Sequence, residues 1–366
     1  MNLTFTGNDL YKVFSLAASI VPSSAMKQIL HGIKMEVRDG VVELTATDLE
    51  VLVKCLPMVK ACTEKNGGVV IPAARVNSIL RDWAGNDEVL LSIEGNTCVL
   101  KSKGGYCKVL GEDYKQYPEI HPTDVKELIE VDGEIISDMV GRIVHAASTI
   151  KARSTLCGVF IKIEGEYIVM VAADGNRLSY IRRKVSQCKA IVSGIVTVKC
   201  LTFLQRFVSE FKGTLKLGIG ESQIHFLGAK GEIISQLIDG QYPKYEDVIP
   251  KENDKKVIAN KEELLSMVRM ASFMTSEGCR MVNFLLNKDK LTLSSKTADV
   301  GEAELEMGVE YNGPEFKISF NPDYILDALK VSDSDTVTVE FGSGNNAALF
   351  RTGHDQLDVI MPVEMS

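Results

Sequence analysis

One order of predicted secondary structure occurs three times along this chain of 366 residues. Each copy begins with an amphipathic helix, near residues 8, 133 and 260, and continues with a hairpin, a second helix and further strands. In the first helix, Leu10, Val13, Phe14 and Ala17 recur at helical spacing, and Asn8 or Asp9 is placed to cap its start. The period is far longer than that of solenoid repeats, so the pattern predicts three domain-sized units.

A turn also recurs in the three copies. The segments ATDLE (46–50), AADGN (172–176) and KTADV (296–300) each close a predicted strand. Asp48, Asp174 and Asp299 hold matching places, 126 and 125 residues apart, which indicates a role in the scaffold. The residues that follow Asp174, GNRL, differ from their counterparts in the other two copies. A function added to one copy is therefore expected at residues 175–178.

Each copy has two helices and about eight strands, which predicts an α+β fold of helices against antiparallel sheets. If all six helices lie on one side of a three-domain arc, they line its inside and leave a continuous outer sheet. The sheet edges at the two ends of the arc would be unpaired, and such edges are templates for another strand. We expect end-to-end self-association, and closure would give a ring. The predicted domains are 1–124, 125–252 and 253–366, joined by the polar segments 119–127 and 251–257.

The composition is that of an ordinary soluble protein, with 45% hydrophobic and 25% charged residues. No apolar run approaches the roughly 20 residues of a membrane helix, and the first residues do not resemble a secretory signal. These features predict a cytoplasmic protein. The eight cysteines include no C-x-x-C pair, and the five histidines are scattered, so we expect reduced cysteines and no metal site.

Motifs for catalysis or cofactor binding are not found. The sequence contains no Walker A, H-E-x-x-H or G-x-S-x-G pattern. Gly218-Ile219-Gly220 and Gly342-Ser343-Gly344 each lie between two predicted strands without a following helix, so they are interpreted as hairpin turns and not as dinucleotide loops. The prediction is a protein without catalytic residues and without a cofactor.

Four segments carry a resemblance to a known family: ATDLE (46–50), AADGNRL (172–178), LIDGQYPKYEDVIP (237–250) and VIMPV (359–363). With the threefold repeat, they make the whole chain similar to the bacterial sliding clamps, the β subunit of the DNA polymerase III holoenzyme. The resemblance implies three clamp domains and a head-to-tail homodimeric ring around double-stranded DNA, without sequence specificity. It also implies that short peptide motifs of the replicative polymerase, the clamp loader and repair proteins bind this ring.

The net charge of −8 alone argues weakly against nucleic acid, but the predicted helices carry slightly more Lys and Arg than Asp and Glu. A ring that holds DNA by topology needs only weak, mobile, sequence-independent attraction to phosphates, which long basic side chains provide. The predicted DNA-facing residues are Lys12, Arg75, Arg81, Arg142, Lys151, Arg153, Lys199, Arg206 and Arg269.

The resemblance further implies an apolar cleft for partner peptides and a subunit junction. The cleft corresponds to Leu156, Ala173, Gly175, Asn176, Arg177, Leu178, Pro243, Asp247, Val248, Ala347, Val359, Met361, Pro362 and Val363. Arg177 either bonds a peptide or forms a local ion pair with Asp174 or another acid. The junction corresponds to Tyr106, Lys108, Phe273 and Met274.

This chain departs from the family pattern at two positions beside the cleft. Asp247 stands where the family often has a basic residue, and Glu364-Met365-Ser366 replaces a common Met-Arg-Leu end. Both changes imply an altered preference for residues that flank the peptide motif. Two other functions stay open at this point: an enzyme with an unrecognised site on a repeated β-rich scaffold, and an interaction module that uses the same cleft without forming a ring.

Overall fold

The computed structural model of the chain describes residues 1–62, 66–123, 125, 127–342 and 346–363, with only the backbone of residues 187 and 190. It contains two compact units, Met1–Ser137 with Lys199–Leu237, and Asp138–Val198 with Ile238–Ser366. We call them the first and the second unit. They differ from the three predicted domains because strands of neighbouring repeats pair in common sheets. The boundaries near 124 and 252 stay a prediction, and Asp124 lies outside the described residues.

The described residues form six α-helices, two for each repeat. They are α1 (Gly7–Ala18), α2 (Ala73–Asp82), α3 (Gly133–Ile143), α4 (Val198–Phe211), α5 (Lys261–Ser272) and α6 (Pro322–Lys330).

The strands before α3 are β1 (Asn2–Phe5), β2 (Gly32–Arg38), β3 (Val41–Thr47), β4 (Val51–Cys55), β5 (Ala61–Cys62), β6 (Gly67–Pro72), β7 (Val89–Glu94), β8 (Thr97–Ser102), β9 (Gly105–Leu110) and β10 (Ile129–Asp132). Those up to α5 are β11 (Gly158–Ala173), β12 (Arg177–Thr197), β13 (Thr214–Ile219), β14 (Gln223–Gly228), β15 (Gly231–Gln236) and β16 (Lys255–Asn260). The last are β17 (Val282–Asn287), β18 (Lys290–Thr297), β19 (Gly301–Gly308), β20 (Phe316–Phe320), β21 (Thr336–Phe341), β22 (Ala348–Arg351) and β23 (Gln356–Ile360).

The first unit contains two antiparallel sheets. One has the order β5-β1-β7-β8-β9, and the other has the order β10-β13-β14-β15-β4-β3-β2-β6. The second of these joins strands of two repeats, because β4 of the first repeat pairs with β15 of the middle repeat, with Leu52 opposite Ile234. We call this pairing the first junction.

The second unit repeats that design with later parts of the chain. Its six-stranded sheet has the order β11-β12-β23-β22-β21-β16, and its four-stranded sheet has the order β19-β18-β17-β20. Here β12 of the middle repeat pairs with β23 of the third, with Leu178 opposite Val359. We call this pairing the second junction. The register matches that of the first junction residue for residue, since Leu52 and Leu178 are 126 positions apart.

The helices form where apolar spacing and caps agree. In α1, Leu10, Val13, Phe14 and Ala17 are buried as predicted, but Thr6 caps the helix by accepting a hydrogen bond from the backbone N–H of Asp9 at 3.3 Å. The predicted caps Asn8 and Asp9 already lie inside the helix. In α6, Asn321 accepts from the N–H of Asp323 at 3.0 Å and Pro322 occupies the first turn, as predicted.

The recurrent turn is equivalent in two of the three copies. Asp48 accepts hydrogen bonds from the backbone N–H groups of Glu50 and Val51, and Asp174 accepts from those of Asn176 and Arg177. The third turn is one residue shorter, because Thr297 pairs with Gly301 whereas Ala173 pairs with Leu178. Asp299 therefore lies one position later than Asp48 and Asp174, and the predicted threefold equivalence is wrong for that residue.

The glycine pairs, the helix lengths and the cysteines can be compared with the expectations from the sequence. Gly218 and Ile219 end β13, and Gly220 opens the hairpin to β14, so no helix follows this pair of glycines. Ser343 and Gly344 lie outside the described residues. None of the helices within the described ranges has the length and apolar content that a membrane span requires. The eight cysteines, all of them among the described residues, are not joined by disulfides.

Candidate functional site

The second junction carries an apolar cluster on one face of β12 and β23. Its buried members include Leu178, Val359, Tyr242 and Tyr245. The predicted cleft residues Leu156, Ala173 and Ala347 pack against this cluster and are half-buried. The structure therefore brings together predicted cleft residues from three separate parts of the chain. We call this cluster and its exposed margin the groove.

The margin of the groove exposes large apolar side chains. Val248, Met361 and Val363 are 46%, 40% and 37% exposed. Two backbone hydrogen bonds position the segment after β23: the N–H of Met361 donates to the carbonyl of Asn176 at 2.8 Å, and the N–H of Val363 donates to that of Ser319 at 2.8 Å. Exposed apolar side chains held on a fixed backbone are suited to binding another apolar surface.

The remaining predicted cleft residues surround this margin. Pro243 and Asp247 are exposed, and Pro362 is half-buried. Asp247, Val248 and Ala347 line an open pocket of about 500 Å³. Gly175 and Asn176 are exposed at the turn before β12, where Gly175 has a φ of 99°. Its backbone conformation favours glycine, and an added Cβ would meet the guanidinium of Arg153.

Arg177 is occupied by partners within the protein. Its guanidinium donates to Asp174 Oδ2 at 3.1 Å, to Asp327 Oδ2 at 2.8 Å and to the carbonyl of His145, and it lies 4.7 Å from the centroid of the Tyr324 ring. These contacts correspond to the local ion-pair alternative. Through these contacts Arg177 links the turn to α6, on the face of β12 opposite to the groove.

A polar layer lies on the other face of the same two strands. The fully buried Asp358 accepts hydrogen bonds from the hydroxyl groups of Ser179 and Thr352, the latter at 2.8 Å, and from Gln356 Nε2 at 3.3 Å. His145 Nε2 is 3.3 Å from the Ser179 hydroxyl and 4.0 Å from Asp358. Burial raises the pKa of Asp358 to about 6 and, with the nearby Arg177 charge, lowers that of His145 to about 4.

Sequence reasoning missed the aromatic residues of the groove. The rings of Phe160 and Tyr242 are stacked at 5.2 Å, and those of Tyr180 and Tyr245 lie 5.9 Å apart. Tyr242 and Tyr245 belong to the segment YPKY, which was part of the family resemblance but was represented only by Pro243. A signal was available, because the first repeat contains the same tripeptide QYP (116–118), whose Tyr117 is buried.

Comparisons with known proteins decide the family. Models of the DNA polymerase III beta subunit match the N-terminal domain at residues 1–121, the central domain at 130–244 and the C-terminal domain at 246–364. This chain belongs to the DNA polymerase III beta subunit family. The predicted family and the predicted fold class of three clamp domains are thereby confirmed.

Individual members support the same assignment over the full length. The beta sliding clamp of Chlamydia muridarum is 26% identical, with 100% of this chain and 99% of the relative covered. That of Bacillus subtilis is 26% identical, with 99% of each chain covered. The crystal structure of the beta subunit from Thermotoga maritima has a TM-score of 0.94 at 24% identity and full coverage of both chains.

The basic residues predicted to face DNA differ in their availability. Eight of them are exposed: Lys12, Arg75, Arg81, Lys151, Arg153, Lys199, Arg206 and Arg269. Arg142 is different, because its side chain is only 11% exposed and donates to Asp138 at 2.8 Å and to Asp333 at 2.8 Å. Two carboxylates and burial hold Arg142 within the second unit, which makes its guanidinium unsuited to contact with phosphates.

The residues predicted for the subunit junction lie beside sheet edges. Tyr106 and Lys108 are exposed on β9, which is an edge strand of the first unit. In the second unit, Phe273 is exposed and Met274 is half-buried just after α5. The edge strand β19 of that unit exposes Glu302, Glu304 and Glu306. Free edges beside apolar side chains are suited to pairing with another copy.

Within the described ranges, no three His, Cys, Asp or Glu side chains come together in the way that a metal site requires.

Proposed function

We propose that this chain is a DNA sliding clamp. Two copies join head to tail in a closed ring around double-stranded DNA, and the ring tethers the replicative polymerase. The observation that carries the proposal is the match of the beta subunit models to all three repeats, because a ring of this kind requires each of them. The function is topological, since dissociation requires an interface to open and not merely phosphate contacts to break.

The proposed sites follow from the exposed residues. DNA attraction comes from the eight exposed cations named above, through weak contacts that are independent of sequence. Tyr106, Lys108, Phe273 and Met274 contribute to the junction between copies. The proposed domains are those predicted from the sequence. The chain acts in the cytoplasm, without catalysis and without a cofactor of its own.

The groove binds short peptide motifs of the polymerase, the clamp loader and repair proteins. Support comes from the exposed Val248, Met361 and Val363 over a cluster that is rich in aromatic rings. Apolar anchors in a preformed pocket supply most of the energy of such contacts. The partner also meets Asp247 at the margin, which favours basic flanking residues there. Glu364, Met365 and Ser366 lie outside the described residues, so their proposed effect on partner preference rests on sequence.

A topological experiment tests the ring. The protein is loaded onto nicked circular DNA by a clamp loader with ATP, and its retention is followed by gel filtration in high salt. We expect the protein to stay on the circle and to be lost once a restriction enzyme linearises the DNA. Equal retention on linear DNA with free ends would refute the mechanism, and a monomer at micromolar concentration in sedimentation would count heavily against the ring.

A second experiment tests the groove. Val248→Ala with Met361→Ala is expected to weaken binding of a polymerase peptide by about tenfold or more, since both side chains are exposed apolar anchors. The matched control is Val41→Ala with Met58→Ala, which removes the same atoms from exposed positions of the first unit. An unchanged dissociation constant in the groove variant, with the dimer intact, would refute the assignment of the groove.

A further inference from the structure

A second pocket adjoins the groove on the same face of β12. It is open, has a volume of about 650 Å³, and shares Tyr180 and Leu357 with the apolar cluster. Side chains on one face of a strand alternate, so Arg182 and Lys184 continue the row of Leu178 and Tyr180. Arg182 lies four residues beyond Leu178, which is roughly 13 Å along a strand.

Arg182 is the cation of this pocket that has unused hydrogen-bonding capacity. Its guanidinium is exposed and stacks 3.6 Å from the centroid of the Tyr167 ring. Among the described residues, no carboxylate lies within ion-pair distance of it. Stacking holds the planar group in place and leaves its N–H donors free at the edge, an arrangement that suits a carboxylate.

The other cations of the pocket already have partners. Arg183 pairs with Asp355 and, at 3.2 Å, with Asp138. Lys184 lies 3.3 Å from Glu166 in a pair exposed to solvent. Arg351 Nε lies 2.8 Å from Glu340. Most of the charge around the pocket is therefore balanced, and Arg182 is its focus of uncompensated positive charge.

We propose that this pocket, which we call the Arg182 pocket, binds an acidic residue that flanks the apolar motif of a partner peptide. The proposal rests on the peptide-binding function of the groove and adds a preference of this chain. An extended peptide anchored over Leu178 reaches Arg182 about four residues away, at about 3.3 Å per residue. The carboxylate accepts hydrogen bonds from the stacked guanidinium, and its neighbour contacts Tyr180.

Three observations favour a peptide over nucleic acid as the occupant. A nucleic-acid strand requires a row of unpaired cations, whereas three of the four cations here are paired. Bases also stack on free aromatic faces, and Arg182 covers one face of Tyr167. The pocket is, in contrast, continuous with the groove through Tyr180 and Leu357.

The experiment uses the full chain and a fluorescent polymerase peptide extended by Glu residues or by Gln residues, at either end. At about 50 mM NaCl, we expect the Glu version at one end to bind about three- to fivefold more tightly than its Gln version, and the ratio to shrink at about 300 mM. Arg182→Gln brings the ratio to about one and leaves the affinity of the Gln version unchanged. Lys317→Gln, an exposed charge on β20, keeps the ratio of the unmodified protein.

Each other outcome overturns a different statement. If the Glu peptides bind no more tightly than the Gln peptides, or if Arg182→Gln keeps the full ratio of the two affinities, the Arg182 pocket does not bind an acidic residue. The peptide-binding function of the groove is then unaffected. If no version of the peptide binds to the unmodified protein, the groove itself is refuted. If single-stranded oligonucleotides bind and Arg182→Gln abolishes that binding without altering the peptide ratio, the occupant is nucleic acid and the proposal is wrong.

Discussion

The two junctions share the same backbone pairing but differ in the side chains that their paired strands carry. At the first, the N–H of Gln236 donates to the carbonyl of Glu50 at 2.8 Å, and at the second, that of Met361 donates to Asn176 at 2.8 Å. The apolar pairs Leu52–Ile234 and Leu178–Val359 hold equivalent positions. The exposed margin, however, distinguishes the second junction, because Gln236 is half-buried at the end of β15 whereas its counterpart Met361, and Val363 beyond it, are exposed after β23.

The opposite faces of the junctions differ in polarity. Val53 faces Ile233 in the first junction, and both are fully buried. The equivalent pair in the second is Ser179 with Asp358, inside the hydrogen-bonded polar layer. Val51 is likewise replaced by Arg177. The comparison teaches that one register tolerates either an apolar backing or a polar one in which Ser179 and Asp358 are hydrogen-bonded.

Truncating the leucine of each junction should give the largest loss of stability. It should also separate the structural role of the two junctions from the binding of peptides. Leu52→Ala and Leu178→Ala each leave a cavity in a buried site and should each cost about 3 kcal/mol of unfolding free energy. Only Leu178→Ala should also weaken peptide binding. Chemical denaturation and peptide titration measure both effects. Equal loss of peptide binding in the two variants would show that the groove does not belong to the second junction alone.

The next largest loss of stability should follow the removal of Arg177, the charged residue behind the groove. Arg177→Met leaves the carboxylates of Asp174 and Asp327 without their guanidinium partner, and we expect a loss of about 2 kcal/mol. Adding Asp327→Asn should restore about 1 kcal/mol, because it removes one of the stranded charges. A double-mutant cycle in urea measures this coupling. Strict additivity would mean that Arg177 acts through packing on Tyr324 and not through its ion pairs.

The polar layer should give the second junction a dependence on pH that its apolar counterpart lacks. The pKa of Asp358, raised from 3.8 to about 6, makes its burial increasingly unfavourable as pH rises from about 4 to about 6. The pKa of His145, lowered from 6.5 to about 4, supplies stability that is present above about 6.5 and lost as pH falls towards about 4. The two effects oppose each other in the native protein.

Asp358→Asn removes one of these opposing effects. Relative to the native chain, this variant should become less stable by about 2 kcal/mol between about pH 7 and about pH 4.5, since only the loss from His145 remains. Thermal unfolding across this range, with Val53→Ala as a control of the apolar counterpart, measures it. A difference between variant and native protein that does not change with pH would contradict the assignment of these two groups.

The recurrent aspartates should give the smallest effects. Asp48→Ala and Asp174→Ala each remove two hydrogen bonds to backbone N–H groups and one ion pair, with Lys199 and Arg177 respectively, and each should cost about 1.5 kcal/mol. Asp299→Ala should change stability by less than about 0.5 kcal/mol, since Asp299 is exposed and lies one position later in its turn. Thermal shifts measure the series, and three equal losses would restore the threefold equivalence that the strand register contradicts.

Prediction from sequence succeeded where local patterns carry the information. The spacing of Leu10 to Ala17 and the Asn321-Pro322 start located helices, because burial and capping are read within a few residues. The match of Asp48 with Asp174 followed from the repeat. The place of Asp299 did not, because the length of a turn depends on how the flanking strands pair.

The sequence by itself determined the threefold repeat, the helices, the family and the segments that form the groove. Only the tertiary structure decided which ion pairs and hydrogen bonds the side chains form across the fold. It showed that Arg177 is bound by Asp174 and Asp327, that Arg142 is held by two carboxylates, and that Asp358 lies within the polar layer. The physical reason is that ion pairing and burial depend on residues distant in the chain, which periodicity and motifs do not specify.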